Sequence, residues 1–325
     1  EAMNDLSPTT RALLDSARFG LEEGVAAGIT SYADTCESGV VLQAMREAGV
    51  RGVMYQEVFG PAPEQCAQSI ADLRDKVAGL RYLETPLVRV GVSPHAPYTV
   101  SDDLFRATAA LAREQRLPMA IHIAESELER QLVVDGAGSF AEGLRRRGIG
   151  VESRASSSIK LLHRLEVLAE RPLLIHCVRV DTSDIATIAA SRSPVAHCPA
   201  SNAKLGHGTA PLDELLAAGV TVGLGSDSVA SNNRMDILEE ARLAVLFQRA
   251  SRRNERVVPA RQALEMATID GARSLRIDDK VGSLEVGKDA DISVFPLDVA
   301  RVTPVGDVVA AVIFAVAGAD AKFVA

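Results

Sequence analysis

The stretch MAIHIAESELE, Met119 to Glu129, decides the fold of this 325-residue chain because it joins a buried strand to polar side chains at the end of that strand. Apolar residues stand at alternate positions from Met119 to Ile123, which predicts a strand. His122 lies inside that strand, and Glu125 follows just past its end. An imidazole and a carboxylate buried so close together must be paired, bonded to a metal or used in chemistry.

A helix followed by a strand is repeated along the chain on both sides of this stretch. The helical pattern VVLQAMREAG precedes the strand VRGVMYQEVF, and DDLFRATAALAREQ precedes MAIHIAE. Repeated units of this kind predict a parallel sheet, which is either a barrel or doubly wound. The pattern predicts about seven strands, whereas a closed (β/α)8 barrel has eight. A doubly wound sheet usually carries a glycine-rich phosphate loop after its first strand, and the sequence shows none.

Polar residues at the strand ends decide between the two topologies. His95 follows VGVSP, Glu125 follows MAIHIA and Asp227 follows VTVGLGS. A TIM barrel builds its active site at the carboxyl ends of its strands. The sequence therefore predicts an α/β protein with a TIM-type (β/α)8 barrel over residues 1–280 that lacks its first strand. Residues 281–325, with glycine and aspartate turns, are expected to form a small C-terminal β segment.

Composition and charge exclude several classes of partner. Hydrophobic residues make up 47% of the chain, charged residues 24%, and the formal net charge is −8. A negative net charge argues against nucleic acid and anionic membranes as partners. No apolar run approaches the roughly 20 residues that span a bilayer. The four cysteines form no CxxC pair, so free thiols and a cytoplasmic location are expected.

Six motifs together resemble the amidohydrolase superfamily, in its branch of adenosine-type deaminases and triazine hydrolases. They occur in the family's order between residues 93 and 295. The motifs are SPHAPYTVS (93–101), HIAESE (122–127), IHCVRVD (175–181), AHCPASNAKLGHGTAP (196–211), GLGSDSVASNNRMDILEEARLA (223–244) and VGSLEVGKDADISVF (281–295).

The resemblance implies a metal held by an HxH pair on the first barrel strand, a histidine on the fifth and an aspartate on the eighth. By position, His122 corresponds to the fifth-strand ligand and Asp227 to the eighth-strand ligand. Glu125 corresponds to the proton shuttle that contacts the substrate, and His95 to a substrate-contacting residue above the metal. His176 corresponds to a histidine that contacts the activated water and stabilises the oxyanion of the tetrahedral intermediate, and it is a candidate both for catalysis and for metal binding. Zinc is the expected cofactor, with iron or manganese as alternatives.

These residue types suit such chemistry. Zinc binds imidazole nitrogen and carboxylate oxygen and lowers the pKa of its water to about 7. Asp227 could take the proton of that water while Glu125 protonates a ring nitrogen. Each residue also has a structural explanation: His122 as a satisfied core histidine, Glu125 as an acid at a helix N-terminus, and Asp227 as a helix cap.

Further substrate contacts are expected around the barrel mouth. Glu57 ends a strand at that mouth and is expected to touch a substrate hydroxyl. Ser228, in the SDSVASNN loop, is a second candidate. Lys204 and His207 lie on a glycine-flanked loop above the mouth, which leaves open whether they contact the substrate.

The chain departs from the family pattern at its beginning. No two of its six histidines are separated by a single residue, so the HxH pair is absent. EAMNDLSPTTRAL, at residues 1–13, resembles the helix that follows the family's first βα loop. The missing strand and the missing ligand pair both fit a truncated chain, and the family's small composite β domain also draws on both chain ends.

The resemblance implies a metal-dependent hydrolytic deaminase of the 6-amino group of an adenosine-type nucleoside. S-adenosylhomocysteine, methylthioadenosine, adenosine and aminodeoxyfutalosine are the candidate substrates, and YQEVFGP together with Ser228 favours the last. One alternative is hydrolysis of a triazine or another amino-heterocycle. Another is a catalytically impaired, purine-binding barrel fragment, because HxH is absent. The expected partner is a small nucleoside-like molecule, and a homodimer is the family-based expectation.

Overall fold

The computed structural model describes residues 10–325, so the first part of EAMNDLSPTTRAL lies outside the described residues. Strands and helices alternate through the barrel portion. The strands are β1 Ser31–Cys36, β2 Arg51–Val58, β3 Val88–Pro94, β4 Ala120–Ile123, β5 Leu173–His176, β6 Val195–His197, β7 Val222–Leu224, β8 Ser293–Val294 and β9 Phe323–Val324. The helices are α1 Thr10–Ala26, α2 Val40–Ala48, α3 Cys66–Leu80, α4 Asp102–Gln115, α5 Glu127–Arg130, α6 Gly138–Arg146, α7 Ser158–Arg164, α8 Thr182–Ser191, α9 Pro199–Lys204, α10 Leu212–Ala217, α11 Val229–Asn232, α12 Ile237–Arg252, α13 Ala260–Met266, α14 Ile269–Leu275 and α15 Val308–Ala315.

The first seven strands are parallel and neighbour one another in chain order. Strands β1, β2 and β3 form one hydrogen-bonded set, and β4 to β7 form a second. The two sets are joined where Val92 pairs with Met119 and where the amide of His122 donates to the carbonyl of His95 at 3.0 Å. This succession of parallel strands is the one predicted from the alternating helical and extended patterns.

The core lies between the strands and the surrounding helices. Its largest fully buried side chains include Leu42, Met54, Phe105 and Ile121. Helix α2 illustrates how the sequence determines a helix. Leu42, Ala44 and Met45 form its buried face, and the helix ends before Gly49, whose φ of 69° is in the left-handed region that glycine favours. Parallel strands covered by helices in this way bring their carboxyl ends to one mouth.

A large cavity separates the two outer strands of the succession. Within residues 10–325, no strand pairs with the outer edge of β1 or of β7. The cavity has a volume of about 1,020 Å³ and is lined by all of β1, by Gly223 and Leu224 of β7, and by His122 and Asp227. Among the described residues, this cavity is the place where the eighth strand of a barrel would fit.

The C-terminal residues pack against the barrel as a small element. Strands β8 and β9 pair antiparallel, and the guanidinium of Arg51, at the start of β2, contacts Asp289 at 2.6 Å and Asp291 at 3.4 Å. The sequence predicted short β pieces, but the structure adds helix α15, which Asp307 caps by accepting a hydrogen bond from the amide of Ala310. The domain boundary near residue 281 stays a prediction.

Among the described residues, no helix combines the length and apolarity needed to cross a membrane.

Candidate metal centre and active site

Three predicted residues meet at the carboxyl ends of β4, β5 and β7. One ligand atom each from Glu125, His176 and Asp227 lies within 4.8 Å of the other two. Nε2 of His176 is 3.6 Å from Oε1 of Glu125. Side chains from three separate strand ends therefore converge on a volume the size of one ion and its ligands, as the motif positions predicted.

The backbone at this mouth is unusual. Ala124, His176, Cys177 and Asp227 are non-glycine residues with φ of 52°, 79°, 48° and 59°. Each such residue costs about 1–3 kcal/mol, and such strain is concentrated at functional sites. The left-handed turns end β5 at His176 and turn the chain just after β4 and β7, where the polar side chains are needed.

His176 is buried and neutral. Burial, followed by the electrostatic effect of the nearby His122 imidazole, lowers the pKa of His176 to about 3. Its Nδ1 is 3.0 Å from Oδ1 of Asn202. Because an amide oxygen only accepts hydrogen bonds, Nδ1 carries the hydrogen and Nε2 keeps a lone pair. That lone pair faces the centre of the cluster.

Asp227 is held in its ionised form. Burial alone would raise the pKa of Asp227, but hydrogen bonds from Ser201 and Ser231 and the electrostatic interaction with His176 bring the pKa below its usual value. The hydroxyl of Ser231 donates to Oδ2 at 2.8 Å, the hydroxyl of Ser201 also donates to Oδ2, and the amide of Ser228 donates to Oδ1 at 2.7 Å. The result is an oriented carboxylate at the mouth.

His122 lies between the two sides of the mouth. Its ring centroid is 5.6 Å from that of His176 and 5.0 Å from that of His95. Burial lowers the pKa of His122, and the charge of Asp227 partly opposes that effect. Nδ1 of His122 is 3.2 Å from the carbonyl oxygen of His95, which requires hydrogen on Nδ1 and leaves Nε2 as a free ligand atom.

Glu125 is a carboxyl group poised to exchange a proton near neutral pH. Burial, followed by the negative charges of Glu129 and Asp227, raises the pKa of Glu125 to about 7. The loop carrying it is fixed by the buried carboxylate of Glu129, which accepts from the amides of Ala124 at 2.7 Å and Glu125 at 3.1 Å. Nε2 of His207, on the loop after α9, lies 3.3 Å from Oε1 of Glu125.

Glu57 and His95 line the opposite side of the mouth. Ligand atoms of Glu57, His95 and His122 lie within 4.8 Å of one another, and Nε2 of His95 is 4.0 Å from Oε1 of Glu57. Burial, followed by the charges of Asp34 and Glu37, raises the pKa of Glu57 to about 7, and burial lowers that of His95 to about 4.

Aromatic rings continue the wall beyond His95. The ring of Phe59 is 5.0 Å and that of Tyr98 is 5.6 Å from the ring of His95, and Phe140 lies 4.5 Å from Tyr98. This side of the mouth therefore combines one acid and one neutral imidazole with an aromatic surface, which suits a flat heterocycle or an apolar substituent.

Ser228 was predicted to contact the substrate, and in the structure it forms hydrogen bonds within its own loop. Its side chain accepts from the amide of Ala230 and caps α11, while its own amide donates to Asp227. The structure therefore uses Ser228 to hold Asp227 and to begin a helical turn. Its contact with substrate stays a prediction.

The donor set fits a divalent cation. His122 and His176 each present a neutral imidazole nitrogen, and Asp227 presents an ionised carboxylate. Two imidazoles and one carboxylate with an open position are a common set for catalytic zinc. The roles predicted for individual residues stay predictions: ligand atoms of His176 and Asp227 lie within 4.8 Å of each other and of Glu125, whereas His122 lies within that distance of Glu57 and His95.

Three residues that orient the side chains of the site were not identified from the sequence. Asn202 orients His176, and the hydroxyls of Ser201 and Ser231 orient Asp227. Ser201 and Asn202 lie in the motif AHCPASNAKLGHGTAP, and Ser231 lies in SDSVASNN, so their motif positions were available as a signal. Their contacts depend on the turns after β6 and β7, which the sequence pattern does not specify.

Two related proteins match almost the whole chain. It is 34% identical to a 5-methylthioadenosine/S-adenosylhomocysteine deaminase of Halobacterium salinarum, over 98% of this chain and 71% of that protein. It is 33% identical to the protein of the same name from Moorella thermoacetica, over 94% of this chain and 67% of the relative.

Solved structures agree with the fold. An adenosine deaminase from Xanthomonas campestris with bound zinc superimposes with a TM-score of 0.83 at 26% identity, covering 98% of this chain and 69% of that one. The atrazine chlorohydrolase TrzN of Arthrobacter aurescens, complexed with zinc, gives a TM-score of 0.80 at 25% identity, covering 96% and 70%. The predicted α/β barrel architecture is confirmed.

The model of the amidohydrolase family matches residues 13–320. That match spans nearly all of the described residues, including every residue of the candidate site. The chain therefore belongs to the amidohydrolase family, and it is a hydrolase that acts on C–N bonds, as the sequence predicted.

Proposed function

We propose that the protein is a metal-dependent deaminase that hydrolyses the 6-amino group of an adenosine-type nucleoside and releases ammonia. The observation that carries the proposal is the convergence of Glu125, His176 and Asp227 within 4.8 Å. The deaminase names of the relatives, at 34% and 33% identity, favour an adenosine-type substrate.

His122, His176 and Asp227 would hold the cation. When bound, a divalent metal such as zinc supplies Lewis acidity that activates a water molecule at neutral pH. The two zinc-containing structural neighbours support zinc as the metal. Iron or manganese would suit similar ligands.

Asp227 and Glu125 carry out different proton transfers in the proposed reaction. Asp227, kept ionised by its hydroxyl partners, accepts the proton of the attacking water. Glu125, whose pKa is about 7, is partly protonated at neutral pH and delivers a proton to the ring nitrogen beside the reacting carbon. The opposite pKa directions of two carboxyls at one mouth support this assignment.

His176 was predicted both as a ligand and as the group that stabilises the developing oxyanion. Its hydrogen bond to Asn202 favours the ligand role, because Nε2 then carries a lone pair rather than a hydrogen. An oxyanion donor would need hydrogen on Nε2, which requires a charged ring, and the pKa of about 3 disfavours that form.

The opposite wall would receive the nucleoside. Glu57 and His95 offer polar groups for a ribose hydroxyl or ring nitrogen, and Phe59 and Tyr98 offer aromatic surface. Within this class the names of the relatives support methylthioadenosine and S-adenosylhomocysteine, and aminodeoxyfutalosine, which the sequence favoured, and adenosine are the competing substrates.

A substrate panel tests the reaction. The zinc-loaded protein is incubated with the four nucleosides, with chlorotriazines and with alkylamino-triazines, and ammonia, chloride and alkylamine are measured separately. Ammonia from a 6-aminopurine nucleoside is the expected result. Release of chloride or alkylamine alone would replace the proposal with the triazine-hydrolase alternative.

The second candidate is a purine-binding barrel without turnover, which is favoured by the absence of an HxH pair in the sequence and by the cavity between β1 and β7. Elemental analysis after refolding with zinc separates the two. One zinc per chain supports the enzyme, whereas no retained zinc together with purine binding supports the rival.

A further inference from the structure

Glu125 lies between two imidazole rings. Its Oε1 is 3.6 Å from Nε2 of His176 and 3.3 Å from Nε2 of His207. Since Nδ1 of His176 is engaged by Asn202, the neutral His176 ring has no hydrogen to offer to Glu125. Of these two rings, His207 is therefore the one that can donate a hydrogen bond to the carboxylate.

The buried residue Asn202 forms hydrogen bonds with both histidines. The side chain of Asn202 accepts from His176 at 3.0 Å, and its backbone carbonyl accepts from the amide of His207 at 2.8 Å. Asn202 is fully buried within α9, the helix that follows β6. The ring of His176 and the backbone of His207 are thereby bonded to the same buried residue, and Oε1 of Glu125 lies between the two rings.

The loop carrying His207 is shaped to turn that ring inward. Gly206 and Gly208, on either side, have φ of 72° and 103°, a region that other residues rarely adopt. The side chain of His207 is only 21% exposed, although the neighbouring residues Leu205 and Gly206 are exposed. The two glycines let one side chain of a surface loop reach the barrel mouth.

We propose that His207 is a positioning residue for the proton shuttle. By donating from Nε2 to Oε1, it holds the Glu125 carboxyl in the rotamer from which protons are given to and taken from the substrate. This inference rests on the proposed deaminase function. A group held in one orientation reacts faster than one that samples several, and a misplacement of about 1 Å can cost about a hundredfold in rate.

Matched variants test the role in the zinc-loaded protein. His207→Ala is expected to lower kcat by about tenfold to a hundredfold with little change in KM. His207→Gln, whose amide can still donate, is expected to recover most of that loss. His163→Ala, on the exposed face of α7, is the control and should leave kcat unchanged. A wild-type kcat in His207→Ala, or a His207→Gln variant as slow as His207→Ala, would overturn the proposal.

A second readout does not depend on turnover. Nitrogen-15 NMR of the histidine rings reports which nitrogen of His207 carries hydrogen, and Glu125→Ala is expected to change that signal. Unchanged His207 resonances in Glu125→Ala would show that the contact is absent and would refute the inference. If the wild-type protein releases no ammonia but the resonances do respond, the positioning contact stands and the deaminase proposal fails.

Discussion

Replacing Glu57 with glutamine is expected to stabilise the protein at alkaline pH. The side chain of Glu57 is only 12% exposed and has no cationic partner among the residues that the structure describes, since its neighbour His95 is neutral. Burial, followed by the charges of Asp34 and Glu37, raises the pKa of Glu57 from 4.5 to about 7. Glu57→Gln keeps the size of the side chain and removes the charge.

The magnitude follows from proton linkage. The folded state holds the Glu57 proton more tightly than the unfolded state, so the free energy of unfolding falls as pH rises from about 4.5 to about 7. One pKa unit corresponds to about 1.4 kcal/mol, so ionised Glu57 destabilises the folded state by about 3 kcal/mol above pH 7. Part of this effect is already present at pH 5. The gain of Glu57→Gln over wild type should therefore be about 2 kcal/mol larger at pH 8 than at pH 5.

Urea unfolding followed by circular dichroism at the two pH values measures this difference. A chelator keeps cations away from the mouth, and any pH-independent effect of the amide cancels between the two conditions. Glu142→Gln, on the exposed face of α6, is the matched control and should change stability by less than about 0.5 kcal/mol at either pH. A gain that is equal at both values, or larger at pH 5, would refute the account of Glu57 as a destabilising buried charge.

Three further substitutions probe the site and its support. Glu125→Gln should abolish ammonia release while leaving the zinc content unchanged, and an unaltered kcat would remove Glu125 as the proton shuttle. Asp227→Asn should weaken zinc binding by about a hundredfold or more in a chelator competition, because the amide replaces a charged ligand. Arg154→Met should lower the free energy of unfolding by about 2 kcal/mol, since the largely buried guanidinium contacts Asp102 at 2.6 Å and donates to the carbonyl oxygens of Pro97 and Val100. The exposed Arg106→Met provides the comparison, and equal effects of the two arginine changes would contradict that reasoning.

The sequence predicted the fold and the centre of the site because both follow from regular patterns. Alternating helical and extended stretches imply parallel strands, and residues that follow successive strands must meet at one mouth. His95, Glu125 and Asp227 were identified in this way, whereas the roles of His122 and His176 came from the family resemblance. The structure brings Glu125 and Asp227 together with His176, and His95 together with His122 and Glu57. The grouping depends on chain order and periodicity, which a sequence displays directly.

Other features depend on backbone turns that a pattern does not reveal. The stretch RPLLIHCVRV, residues 171–180, has the apolar pattern of a strand throughout, but β5 ends at His176, where positive φ angles at His176 and Cys177 turn the chain. The contact of His207 with Glu125 similarly requires the turns at Gly206 and Gly208. Helix α15 was missed because VVAAVIFA is rich in apolar residues throughout and lacks the alternation that separates a helix from a strand.

The open edges of β1 and β7 have a practical consequence for the protein in solution. Each edge presents a row of backbone amides and carbonyls that, within residues 10–325, no neighbouring strand satisfies. Such edges act as templates for strands of other molecules. Preparations of this chain should therefore form intermolecular sheet as concentration rises, and a short peptide of alternating apolar residues that fits beside β1 should suppress that aggregation.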